Sequence, residues 1–337
     1  MDNLKKLGLS ALAGSLVAFS ANAGELSVSG GAKLSYVGDS GNEDNAVDGN
    51  RFGMQRLVTM SGSGDLDNGM SVSLTHTFAT STGDGSTSVI TLDMGSMGTL
   101  GYGQDSYQVG ISKIDDIVPT AVEEVSDGIS LNATESATGA KVAGNTYEVD
   151  LGGNGFNYSL AMGDMATIVL GVSPGGQDSL TDDGSNSGTR DGDGSDKSAH
   201  IVLNPMDGLT IAAATGEDNS SATAGLDLTQ MYATYTMDAI SVGVHMSESD
   251  SETANADKDF TALGISYAVS EDMSVSLNTS TIEYENSTLS DQEATAVSIS
   301  YTMGSMTLSG NMNQVDNIAG TSTDDRSGYS FTLGFAF

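Results

Sequence analysis

Hydrophobic residues in this chain recur at every second position and not in continuous runs. Leu26, Val28, Ala32, Leu34 and Tyr36 share one parity, with Ser27, Ser29, Lys33 and Ser35 on the other. Met70, Val72, Leu74 and Phe78 repeat the pattern. So do Phe156, Tyr158, Leu160 and Met162, and again Thr295, Val297, Ile299, Tyr301 and Met303. A period of two marks strands with one apolar face. The opposite face is mainly Ser, Thr, Gly and Asp, with few Lys or Glu, which suits a wet interior better than an outer surface.

Short turn sequences punctuate these strands. They are GDLDNGM (64–70), DMGSMGTL (93–100), LGGNGF (151–156), NPMDGL (204–209), YTMDAI (235–240), AVSEDMSV (268–275) and YTMGSMTL (301–308), seven in all. Longer acidic connections such as VGDSGNEDNAVDGN and SESDSETANADKD lie between them. One tight turn and one long loop per hairpin is the asymmetry of an outer-membrane β-barrel. With both termini on the tight-turn rim, seven such turns predict sixteen strands in a transmembrane antiparallel barrel of the all-β class. Strands are expected at 25–37, 50–63, 70–80, 87–95, 98–106, 144–151, 155–172, 198–204, 208–216, 226–237, 239–248, 259–269, 273–283, 293–303, 305–314 and 328–337. Most match the roughly 9–11 residues that a tilted strand needs to cross a bilayer. Segment 155–172 is long and carries Asp164 in its apolar register; dividing it would give seventeen strands and break the even parity.

The two ends of the chain refine this picture. Lys5 and Lys6 precede an apolar stretch from Leu7 to Ala21, and Ala21-Asn22-Ala23 is a small-x-small cleavage signature. Residues 1–23 therefore read as a secretory signal peptide and 24–337 as the mature barrel domain. At the other end, SGYSFTLGFAF places Tyr329, Phe331, Leu333, Phe335 and Phe337 on one face. In lipid every backbone group must be paired, so the last strand is expected to close on the first with this face toward hydrocarbon. Tyr329 and Phe337 would then lie near the two interfaces, where aromatic girdles sit.

Charge narrows the functional classes. The chain has 45 acidic residues against 11 basic and 3 His, a formal net charge of -34. Such a chain repels nucleic acid and attracts cations. It has no cysteine, so disulfides and thiolate metal sites are excluded, and an exported chain of this kind points to a Gram-negative bacterium.

On these residues the chain resembles the general trimeric porins of Gram-negative outer membranes, especially the alphaproteobacterial type. The stretch NRFGMQRLVTMSGSGDLDNGMSVSLTHTF (50–78) is similar to the family's arginine-containing second strand, its turn and its third strand. GTLGYGQDSY (98–107) is similar to the fifth strand before a long third loop, and the terminus at Phe337 is similar to the signal that barrel-assembly machinery reads. The resemblance implies passive diffusion of ions and small hydrophilic solutes, contact with outer-membrane lipid and a homotrimer. It also implies that the third loop, 107–143, folds into the lumen and narrows it. That loop carries Asp115, Asp116, Glu123, Glu124 and Asp127 against Lys113 and Lys141. Arg51 matches the family's strand-two arginine, and Lys33 adds a wall cation; Gln55 and Gln104 stand where the family commonly has basic residues. Arg56 falls in the outward register.

Other chemistry is sparse. Asp191, Asp193 and Asp196, interleaved with glycine, are hard oxygen donors that suit Ca²⁺ as a loop clamp, whereas a flexible acidic loop is the simpler reading. His76, His200 and His245 fall in separate strands with no nucleophile motif around them. The chain therefore reads as no enzyme and requires no cofactor. The alternatives are an outer-membrane barrel lipase or protease and a secreted calcium-binding surface protein. Most basic residues fall in expected loops, while Asp93, Glu148, Asp150 and the third-loop carboxylates fall in the lumen, so the expected pore prefers cations.

Overall fold

The computed structural model describes residues 26–40, 51–79, 86–105, 107–114, 117–122, 154–174, 194–219 and 225–337. They form one closed antiparallel sheet of sixteen strands. The strands are β1 (Ser27–Ser40), β2 (Phe52–Asp65), β3 (Ser71–Ala79), β4 (Thr87–Asp93), β5 (Thr99–Asp105), β6 (Gly155–Met162), β7 (Ala166–Ser173) and β8 (Asp196–Met206). They continue as β9 (Leu209–Asp218), β10 (Leu226–Met237), β11 (Ile240–Ser251), β12 (Lys258–Ala268), β13 (Met273–Tyr284), β14 (Gln292–Met303), β15 (Met306–Asp316) and β16 (Arg326–Ala336). Each pairs with its neighbours in sequence, and β1 closes on β16 with Leu34 opposite Leu333 and Lys33 opposite Gly334.

The expected number of strands stands, but two of its parts are corrected. Segment 155–172 is two strands, joined by a tight turn from Met162 to Ala166. Gly163 takes φ +65° there, and Asp164 belongs to this turn, not to an apolar face. The expected tight turn at 151–156 is therefore replaced by this one. The expected strand 144–151 lies outside the described residues; β5 pairs directly with β6. Lys197, Lys258 and Arg326, expected in loops, open β8, β12 and β16 instead. The expected signal peptide also lies outside the described residues.

The alternation of the sequence becomes an inside and an outside. On β14, Ala294, Ala296 and Ser298 face the lumen and are buried, while Val297 is 56% exposed and Ile299 47%. The same inversion holds along the other walls, with Phe52, Leu74, Ile90, Leu263 and Phe331 all facing out. An apolar band of this extent costs about 25 cal/mol per Å² in water, so its proper surroundings are hydrocarbon. Near the tight-turn rim the outward face carries Tyr235, Tyr267, Tyr301 and Phe335, each close to the end of its strand. Toward the other rim, Tyr36 meets Phe52 at 5.0 Å and Tyr329 at 6.4 Å between ring centroids. These two aromatic belts match the two interfaces of a bilayer.

Candidate functional site: the lumen and its third loop

The site is built where the chain leaves β5 and turns into the barrel. Tyr107 covers the inward faces of Gly101 and Gly103. Its ring lies 5.3 Å below the Lys113 ammonium. Val109 and Ile111 are fully buried, which for an ordinary surface loop would be unusual. The wall supplies the polar partners that this backbone needs once it leaves water. Gly110 N–H donates to Asn157 Oδ1 at 2.7 Å, and Asn157 Nδ2 donates to the Gln108 carbonyl at 3.0 Å. Ile111 N–H donates to Ser198 Oγ at 3.0 Å.

Gly110 opens a short helical turn, Gly110–Lys113, with φ +56°. A Cβ there would collide with Ser198, so the position admits only glycine. Ile111 and Ile114 then pack on Ala214 and Leu228, which face inward from β9 and β10. Further along, Val118 packs on Phe260, Ala262 and Ile282. Asn278 Nδ2 donates to the Pro119 carbonyl at 2.9 Å, and Ala121 N–H donates to Ser276 Oγ at 2.8 Å. Residues 107–114 and 117–121 thus follow the inner wall from β5 round to β13.

Beyond this stretch the lumen is open among the described residues. Ala121 and Val122 face Lys33, Gln55, Leu57, Ser300 and Thr332 across a cavity of about 420 Å³. The eighth long connection also turns inward. Ile318 is fully buried on Ala294, Ala296 and Val315, and Ala319 N–H donates to Gln292 Oε1 at 3.0 Å. Arg326 is 2% exposed, and its guanidinium donates to both carboxylate oxygens of Asp324 at 3.1 and 3.2 Å.

The expected site residues divide as follows. Lys33 lines the gap opposite the third loop. Arg51 occupies the inward register at the long-loop end of β2, where its carbonyl accepts from Val37 N–H at 3.0 Å. Asp115, Asp116, Glu123, Glu124 and Asp127 lie outside the described residues, as do Glu148 and Asp150. Asp93 stays at the tight-turn rim and accepts from Gly95 N–H at 2.8 Å. Gln104 is corrected: it shares the outward face with Tyr102, whose hydroxyl accepts from Gln104 Nε2 at 3.4 Å, so it does not belong to the lumen. Asp196 is 2% exposed and accepts from Asn219 N–H at 2.7 Å, while Asp191 and Asp193 lie outside the described residues. Among the described residues no group of three acidic or His side chains gathers as a metal site.

The terminal stripe is placed as well. Phe337 N–H donates to the Gly30 carbonyl at 2.9 Å, and Gly30 N–H donates back at 2.7 Å. The Phe337 ring covers Gly30, the Tyr329 ring covers Gly38, and the Phe331 ring covers Gly310. Sequence reasoning missed Asn157, Ser198, Ser276 and Asn278, which hold the loop. Nothing in a Ser- and Asn-rich lumenal face distinguishes a latch from a wetted side chain.

Residues 8–337 match the family described as Gram-negative porin. Among solved structures, the fold is similar to an anion-selective porin from Comamonas acidovorans at 13% identity and TM-score 0.70, over 93% of this chain and 99% of that one. It is similar to a porin refined at 1.8 Å resolution, with 14% identity and TM-score 0.64, over 93% and 100%. It is also similar to a loop-L8 deletion mutant of OmpT from Vibrio cholerae, with 12% identity and TM-score 0.62, over 93% and 99%. No curated protein matches the chain significantly.

Proposed function

The chain belongs to the Gram-negative porin family, and from that premise we propose that its lumen passes ions and small hydrophilic solutes passively, with a preference for cations. The observation that carries the channel is the barrel itself: apolar outside, small and polar inside, with a third loop on the inner wall and a gap of about 420 Å³ beside it.

The cation preference is supported by the excess of 45 acidic over 11 basic residues. Carboxylates around a pore favour cations. Two lumenal cations are already engaged: Arg326 is bonded to Asp324, and Lys113 sits over Tyr107. The acidic run of Asp115, Asp116, Glu123, Glu124 and Asp127 continues the same loop. With a screening length of roughly 8 Å at physiological salt, carboxylates on the wall act on ions passing close to it.

A homotrimer is part of the same reading. The outward face of β2 to β5 carries Arg56, the His76–Ser88 hydrogen bond of 2.7 Å, and the Gln104–Tyr102 pair, polar groups that suit a subunit interface better than lipid. Cleavage after Ala23 and export to the outer membrane complete it, and Ca²⁺ at the acidic fourth loop would act as a clamp only. Purified protein in a planar bilayer under a KCl gradient tests the proposal. Stepwise conductance with a reversal potential of cation sign supports it; conductance of anion sign removes the cation preference.

A further inference from the structure

The third loop rests on the wall's backbone as well as on its side chains. At five of the strands it crosses, the wall presents glycine beneath it. A Cβ built on Gly155 would stand 2.8 Å from Val109 Cγ2, and one on Gly171 2.5 Å from Gly110 Cα. On Gly216 it would stand 3.1 Å from Ser198 Cβ and 3.2 Å from Ile111 Cγ2. On Gly243 it would stand 2.5 Å from Pro119 Cδ, and on Gly264 2.6 Å from Asn278 Nδ2, the latch itself, 2.8 Å from the Pro119 carbonyl oxygen and 2.9 Å from Val118 Cβ. Real Cβ atoms essentially never come within 3.0 Å, so a side chain at Gly171, Gly243 or Gly264 displaces the loop, whereas at Gly216 the neighbours need give only a few tenths of an ångström. Glycine inside a strand weakens it and marks a close backbone approach. The contrast is Gly62 on the outer face, where the nearest atom, Leu26 Cδ1, is 3.8 Å away.

The loop is also fastened at this depth. Asn278, 2% exposed, reaches past Gly264 to the Pro119 carbonyl, and Ser276 Oγ accepts from Ala121 N–H. Seat and latch together fix residues 118–121, and these lead directly to Ala121 and Val122 at the edge of the gap. We propose that the wall glycines Gly216, Gly243 and Gly264, with Asn278 as the latch, set how far the third loop stands into the lumen and thereby the bore of the pore. The solute size limit is then determined by the wall beneath the loop as well as by the loop's own side chains. This rests on the channel reading above.

The test is single-channel conductance, with exclusion of polyethylene glycols of graded size, for wild type, Gly216→Ala, Gly264→Ala and the double variant Gly243→Ala/Gly264→Ala. Gly62→Ala adds the same methyl on the lipid face and serves as control. A close-packed contact transmits the intrusion, so conductance should fall in that order, by roughly 10–30% in the double variant, while the control matches wild type. Assembled variants that conduct as wild type does, or better, overturn the proposal. Should the double variant fail to insert, the mild intrusion at Gly216 decides. A wild type without conductance sinks the channel reading instead, and the seat is then judged separately. The chain has no cysteine, so Lys33→Cys/Val122→Cys can be cross-linked unambiguously. The spacer that bridges the pair should be shorter when Gly264→Ala is added, and an unchanged spacer overturns the seat.

Discussion

Removing Phe337 should cost the barrel far more than one exposed terminal residue usually does. The structure separates two contributions. The backbone of Phe337 exchanges two hydrogen bonds with Gly30, at 2.7 and 2.9 Å, which are the last of the seam between β1 and β16. Each contributes about 1 kcal/mol net, and more where no water replaces it. The ring covers Gly30, with Cε2 at 2.8 Å from where a Cβ would stand, but the residue stays 76% exposed, so burial contributes only about 0.5 kcal/mol. Deletion therefore loses about 2.5 kcal/mol and leaves the Gly30 N–H unpaired, whereas Phe337→Ala keeps the seam and loses about 0.5 kcal/mol. Against a total stability of roughly 5–15 kcal/mol the deletion is severe. Reversible urea unfolding in lipid vesicles, read by the mobility difference between folded and unfolded barrel, measures both. Yield of assembled barrel in cells should drop further still, because the terminal strand also resembles the assembly signal. Equal stability of the deletion and Phe337→Ala would refute the seam argument, and equality of both with wild type would refute the whole account of the stripe.

The other expectations concern the two inward loops and the outer face. Asp324→Ala leaves the Arg326 guanidinium buried without its carboxylate and should lower stability by about 3 kcal/mol, seen as a lower melting temperature; no change would mean that other partners suffice. Asn278→Ala frees the Pro119 carbonyl and should raise open-channel current noise in the planar bilayer; a quiet channel would show that the latch is dispensable. Arg56→Glu on the outward face of β2 should shift a trimer toward monomer on crosslinking in mild detergent; an unaltered pattern would remove that face from the interface.

The barrel was legible because its defining signal is local. Alternation of Val297, Ile299 and Tyr301 against Ser298 and Ser300 fixes which side of a strand faces lipid, and turn sequences such as YTMGSMTL fix the reversals. The register of β1 on β16 needs only the terminal stripe and the demand for closure. Segment 155–172 misled because MGDMA, the real turn, contains two methionines and a single glycine, and reads as a continuation of the strand on both sides. Gln104 misled for a different reason. Its assignment came from likeness to other chains, and the parity of Gly101, Tyr102 and Gly103, read strictly, already put it outside. The course of the third loop was not legible, because its partners Asn157, Ser198, Ser276 and Asn278 lie 47 to 159 positions away from the loop residues they hold. Glycine in the wall looked like ordinary strand composition until a second backbone was seen against it.

The central claim, that the lumen is an open and charged aqueous path, is tested most directly by the reversal potential of single channels under a tenfold KCl gradient at low ionic strength. The account predicts discrete conductance steps, a potential of the sign that marks K⁺ as the more permeant ion, and a decline of that potential as both solutions are made more concentrated. A bilayer that stays silent at high protein, or a potential of the opposite sign in dilute salt, would contradict it.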